Sequence, residues 1–246
     1  MTGGDHALPP VEVNAAAAVA RLGRALLANS IDTRLSAEVA AAVDALADRV
    51  EVEGTGRTKA EAVRRYAGQQ RIEHFVATGS WPPPPPDGDE VNFDVFSFVG
   101  GRLSPISAGA VYRRDGDDAV ATVRLGPAYE GPPGRVHGGM LASVFDEVMG
   151  AVFRILGIAS AFTGTLSVRY QAPAPIGAEL VFRARLTATE GRKHTVQAEA
   201  AGPDGTTVAR AEAVFVEMSP GQLALAIESE TSDVGAGARA LADSGP

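Results

Sequence analysis

Cysteine is absent from the 246-residue chain, which excludes disulfides, a thiol nucleophile and a thiolate metal site together. Histidine is scarce. His6, His74, His137 and His194 stand at no spacing that a metal centre would use, so no metal is assigned. No stretch reaches the ~18 to 20 continuous apolar residues of a spanning helix, and the N-terminus lacks a basic region followed by an apolar one. The expectation is a cytoplasmic chain without a membrane span. Positive charge is also short: 22 Lys and Arg face 30 Asp and Glu, and the formal charge of −8 argues against a nucleic-acid partner. Between Arg135 and Lys193 the balance reverses, with seven basic side chains against four acidic, which suits an anionic ligand.

With 45% hydrophobic residues, the chain can bury one good core and a small second module. Residues 1–80 read as a helical N-terminal segment. Alanine and leucine dominate Val13 to Asn29; Val39, Val43, Leu46 and Val50 recur at helical spacing between Leu35 and Glu53, behind a candidate Ser36 cap; a third helix is expected over Thr58 to Thr78. Trp81, five prolines and Asp87-Gly88 then form a stiff spacer, so residues 81–90 are taken as a linker. Beyond it the period shortens. Strands are expected at Ile106 to Arg113 and Val120 to Leu125, flanking Asp115-Gly116, and at Leu166 to Tyr170, Leu180 to Ala188, Thr195 to Ala201 and Thr207 to Val216. A domain over 91–223 and a mobile tail over 224–246 complete the division.

One helix stands between the strands. The Gly131-Pro-Pro-Gly134 approach leads through His137-Gly138-Gly139 into about five turns in which Met140, Leu141, Val144, Phe145, Val148, Met149, Val152, Phe153 and Leu156 cover most of the circumference. Such a helix is surrounded by protein. A narrow stripe is different: Gly139, Ser143, Asp146 and Gly150 lie above one another, all small except for one carboxylate. Strands, one oily helix and more strands make an α+β domain in which a curved antiparallel sheet wraps a central helix. At the helix start the amides of Gly138 and Gly139 lack intrahelical partners and sit at the positive end of the dipole, fit to receive an oxygen gaining negative charge. Asp146, nine residues past His137, is ~13 Å further along the axis. One carbonyl cannot touch both ends within one chain, so joint action would need a homodimer with sites at the interface.

The segment from Gly131 to Glu217 resembles the hotdog-fold acyl-CoA thioesterases of the PaaI type. The resemblance is carried by His137-Gly138-Gly139 with Asp146, by Thr163-Gly-Thr-Leu-Ser-Val-Arg-Tyr-Gln-Ala-Pro173, and by Glu190-Gly-Arg-Lys193. It implies a hotdog domain, preceded here by a helical segment that the resemblance leaves unexplained. It also implies hydrolysis of an acyl-CoA, substrate rather than cofactor, by a homodimer or dimer of dimers. In the family the Gly138 amide would hold the thioester oxygen, His137 would orient the loop or the thioester, and Asp146 of the other copy would act as base or transient nucleophile. Thr163 would hold the attacking water or the Asp, and Thr165 is a competing hydroxyl if the strand puts both on one face. Gly139 and Ser143 line the same groove, and Arg192 and Lys193 become candidates for the CoA phosphates. Each has a plainer reading: His137 closing a turn, Asp146 a paired structural acid, Thr163 opening a strand, Arg192 and Lys193 solvated. Glu147, ~100° further round, reads as structural, and His194 as strand surface. Relatives often carry asparagine where Gly131 stands. That departure keeps a non-catalytic acyl-CoA-binding regulator open as an alternative, beside a hotdog hydratase or dehydratase and an interaction module acting through the N-terminus.

Overall fold

The computed structural model describes residues 10–56, 74, 78–91, 94–158 and 161–218. Helix α1 (Pro10–Ala28) is followed by α2 (Thr33–Glu53). The α2 cap is Asp32 rather than Ser36: the Asp32 carboxylate accepts the Leu35 amide at 2.7 Å, and the Ser36 hydroxyl merely donates back to the Asp32 carbonyl at 2.8 Å. A carboxylate at the N-terminus both satisfies an orphan amide and opposes the dipole, so it displaces the serine. The helix expected over 58–78 and the tail over 224–246 lie outside the described residues, apart from His74 and Thr78.

The domain proper has strands β1 (Val111–Asp115) and β2 (Asp118–Arg124), a short 3-10 turn at Pro127–Tyr129, helix α3 (Gly138–Ile155), and strands β3 (Ala161–Tyr170), β4 (Glu179–Glu190), β5 (Lys193–Ala201) and β6 (Thr207–Glu217). All pairings are antiparallel, in the order β1-β2-β4-β5-β6-β3. Gly116 and Gly191, with φ of 61° and 60°, take the left-handed conformation that the tight β1–β2 and β4–β5 turns demand. The stretch from Ile106 to Ala110 belongs to no strand; it runs as turns and irregular chain, so β1 is shorter than its apolar pattern suggested.

One sheet face closes on α3, which touches every strand. Alternate residues of β5 and β6, such as Val196, Ala198, Ala211, Ala213 and Phe215, turn inward and are buried. Phe145 of α3 meets Phe182 of β4 edge-on with ring centroids 4.9 Å apart, both fully buried; truncating either ring would cost ~3–5 kcal/mol. This is the hotdog arrangement, one oily helix rolled in an antiparallel sheet.

The two sheet edges differ. Along β1 the segment after the prolines lies down as a cover: Val91 and Gly88 amides donate to Tyr112 and Arg114 carbonyls at 2.9 and 3.0 Å, the Arg114 guanidinium donates to the Pro85 carbonyl at 2.9 Å, and the Gly116 amide to Asp87 at 2.7 Å. The free side of β3, ten residues long with Phe162 64% exposed, has no strand paired to it among the described residues.

Candidate functional site

The approach to α3 is tied at several points before the helix begins. Val136 donates to Ala174 at 2.9 Å and His137 to the Tyr129 carbonyl at 2.8 Å; α1 packs against that same 3-10 turn. His137, at φ −62° and ψ 131°, is the N-cap, and its Nδ1 accepts the Gly139 amide at 3.0 Å. That bond commits Nδ1 to the cap and leaves Nε2 as the ring nitrogen turned elsewhere. Of the two amides offered by the sequence, Gly139's is therefore occupied by capping. The Gly138 amide, next to it, donates to no acceptor among the described residues. The Gly138 carbonyl accepts the Tyr170 hydroxyl at 2.8 Å, and a Cβ at Gly138 would stand 3.1 Å from the Tyr170 ring, close enough that the ring would have to shift by a few tenths of an ångström. Ser143 donates its hydroxyl back to the Gly139 carbonyl at 2.9 Å, leaving only lone pairs toward the groove.

Two turns along, Asp146 Oδ1 accepts the Thr163 hydroxyl at 2.6 Å, a charge-assisted bond across from β3. Its Oδ2 meets no donor among the described residues. Thr165 is not a rival for this place. The β3–β6 register slips between Thr163 and Thr165, so Thr163 faces Phe215 while Thr165 faces Val214. Phe215 points inward and Val214 outward, hence the bulge at Gly164 turns the two hydroxyls to opposite sides of the sheet, against the same-face expectation.

Glu147, adjacent in sequence, points to a different neighbourhood. Its carboxylate takes the Tyr112 hydroxyl at 2.6 Å and the Ser97 hydroxyl, while Ser97 Oγ also accepts the Val99 amide at 2.9 Å. Burial raises the Glu147 pKa, and burial first, then the Glu147 charge, raises that of Tyr112. This network pins the 94–104 turns to α3. Its serine and tyrosine lie 50 and 35 residues away in sequence, with no local pattern to announce them.

Arg192 and Lys193 sit at the β4–β5 turn. Arg192 Nε donates to the Glu217 carbonyl at 2.9 Å. Lys193 and Phe162 flank Val216 from opposite sides, which sets Lys193 two strands, ~10 Å, from the Thr163 end of β3. His194 is not on the surface: it is 4% exposed, edge-on to Phe153, with its ring nitrogens 3.1 Å from Thr189 Oγ1 and 3.3 Å from Glu217 Oε2. Its place in the inward alternation of β5, level with Phe215, accounts for this. A groove on the outer sheet face, lined among others by Arg169, Arg183, Arg185 and Arg210, shares no residue with the Asp146 group. Among the described residues no His, Cys, Asp and Glu gather in threes, and no helix is long and apolar enough to cross a membrane.

Residues 133–209 match the family model of the thioesterase superfamily. Acyl-coenzyme A thioesterase THEM4 of Xenopus laevis is 33% identical over 104 residues, 41% of this chain and 46% of that protein. Acyl-coenzyme A thioesterase THEM5 of Homo sapiens is 31% identical over 101 residues, 41% of this chain and 40% of the relative. The matched stretch thus spans less than half the length of these relatives. A crystal structure of a thioesterase superfamily protein superposes with a TM-score of 0.65 at 23% identity, over 88% of this chain and 94% of the other, so the fold likeness reaches beyond the sheet into the N-terminal segment.

Proposed function

We propose, taking the thioesterase-superfamily match of residues 133–209 as premise, that the chain hydrolyses the thioester of an acyl- or aryl-CoA to a carboxylic acid and free CoA at an interface between two copies. The observation that carries the reading is the pair of open valences on one helix. Among the described residues the Gly138 amide meets no acceptor and Asp146 Oδ2 no donor, yet eight residues of helix hold them ~12 Å apart. A thioester carbon and its oxygen span a tenth of that. Both groups reach one carbonyl only if two helices lie side by side, and the free edge of β3 supplies the means: a two-fold pairing of β3 with its copy would close an edge otherwise open to aggregation.

In that dimer the carbonyl oxygen accepts the Gly138 amide of one copy, at the positive end of α3. Asp146 of the other copy, steadied through Oδ1 by Thr163, uses Oδ2 to take a proton from water as the water oxygen bonds to the carbonyl carbon. The resulting oxyanion collapses, the C–S bond breaks, and the proton on Asp146 passes to the departing sulfur. Direct attack by Oδ2 would give a transient anhydride that water then opens, with the same net balance. His137 contributes by capping. Arg192 and Lys193 are the cations on this reading for the CoA phosphates.

Thiol release from a panel of acyl- and aryl-CoAs tests the proposal. Turnover on at least one substrate is expected, lowered ~10²–10⁴-fold by Asp146→Asn and ~10-fold by Thr163→Val, with Thr163→Ser close to wild type. Undiminished activity in Asp146→Asn would sink the mechanism, and CoA binding without any turnover would favour the regulator reading that Gly131 keeps open.

A further inference from the structure

Tyr170 stands at the C-terminal end of edge strand β3, on the face turned to α3, since its partner across the strands is buried Ala209. Half of it is exposed, and nothing in the motif it belongs to announces a role. Its contacts do. The peptide between Gly138 and Gly139 is held at both ends: its carbonyl accepts the Tyr170 hydroxyl at 2.8 Å and its N–H is accepted by His137 Nδ1 at 3.0 Å. The tyrosine ring adds a steric stop beside the Gly138 Cα, where even a Cβ would come within 3.1 Å. Two successive glycines would otherwise leave this turn the loosest point of the helix.

We infer that Tyr170 is a positioning residue, which with His137 clamps the Gly138–Gly139 peptide and so restrains the neighbouring Gly138 amide, which donates to no acceptor among the described residues. The inference rests on the thioesterase reading for its kinetic consequence but not for the clamp itself. The plane that carries the Gly138 N–H is itself held through the His137 carbonyl, which accepts the Met140 and Leu141 amides at 3.0 and 3.3 Å, and the clamped peptide next to it restricts rotation about the intervening Gly138 Cα as the acyl oxygen gains charge. Preorganisation of this kind acts on the transition state and not on substrate binding.

Tyr170→Phe keeps the ring and removes only the hydroxyl at a half-exposed site, so the fold is retained, which the melting temperature verifies. Amide exchange of Gly139, read with glycine-selective nitrogen labelling, is expected to accelerate several-fold in the variant. The kcat for the best acyl-CoA is expected to fall about 5- to 10-fold, the equivalent of one neutral hydrogen bond, with KM within about two-fold. Equal Gly139 exchange in the two proteins overturns the clamp, whether or not the wild type turns over. Faster exchange with unchanged kcat, or a loss confined to KM, overturns the positioning role. A wild type inert on the whole panel leaves the exchange result to decide the clamp and removes the thioesterase reading instead.

Discussion

Two inactive variants should repair each other if the site draws on two chains. Gly138→Pro deletes the amide and nothing else of the backbone: His137 already has the extended geometry that a following proline requires, and proline is at home in the first position of a helix. The Tyr170 ring, 3.1 Å from an added Cβ, has to give by a few tenths of an ångström, which a half-exposed side chain can do. On the proposed mechanism, losing a single oxyanion donor would cost ~10²–10³ in rate and Asp146→Asn would remove the proton acceptor, so each variant alone is expected to be nearly silent. Co-expressed under different affinity tags and purified through both, the mixed dimer holds one site with an intact amide from the Asp146→Asn chain and an intact acid from the Gly138→Pro chain. Its second site is doubly broken. Activity of about half the wild type is therefore expected, tens to hundreds of times above either parent. Were both groups to serve a site within one chain, each chain of the mixed dimer would keep its own defect. A mixed dimer no more active than the mean of its parents would refute the two-copy site.

Two further outcomes follow from packing and charge. Glu147 has its pKa raised chiefly by burial, so its contribution to stability is full below the unfolded value near 4.5 and is lost as pH rises through the raised value; urea unfolding across that window should show Glu147→Gln gaining on the wild type as pH increases, and parallel curves would contradict it. Gly131→Asn, which supplies the side chain that the resemblance implies at this position, would set a Cβ 3.0 Å from the His137 Cα and 3.3 Å from its ring; a loss of ~1–3 kcal/mol and slower thiol release are expected, read by denaturant melts and the acyl-CoA panel, and faster release would show that the loop yields.

How far the sequence could be read depended on whether a feature was periodic or came from a meeting of distant parts. The central helix was legible because its oily residues recur around the whole circumference and a Pro/Gly approach marks its start; four of the strands were legible because inward residues alternate. The Asp146 and Thr163 pair could be named only through resemblance, since composition gives threonine at a strand start no distinction. The same-face expectation for Thr163 and Thr165 fails because a bulge at Gly164 shifts the alternation by one, and a glycine in a strand does not declare whether it bulges. His194 looked like surface beside two exposed cations, yet its place in the inward alternation of β5 outweighs its chemistry once Thr189 and Glu217 satisfy both ring nitrogens. The roles of Tyr170, Ser97 and Tyr112 are not legible in the sequence because their partners lie 32 to 50 residues away and no local spacing encodes such meetings.

Strand β3 supports both ends of the proposed site. Near its start Thr163 holds the carboxylate of Asp146, and at its end Tyr170 holds the turn that presents the Gly138 amide. In a two-copy arrangement these are parts of different sites, because the acid serves one carbonyl and the amide another. A single strand would thus steady one half of each site, and the same strand offers the only sheet edge that the segment after the prolines leaves uncovered among the described residues. Pairing of that edge would therefore fix the spacing between the two half-sites and the orientation of each half together. It follows that weakening the β3 edge should lower activity before it lowers helix or sheet content, since a separated chain keeps its core around Phe145 and Phe182 and loses only the second half of each site.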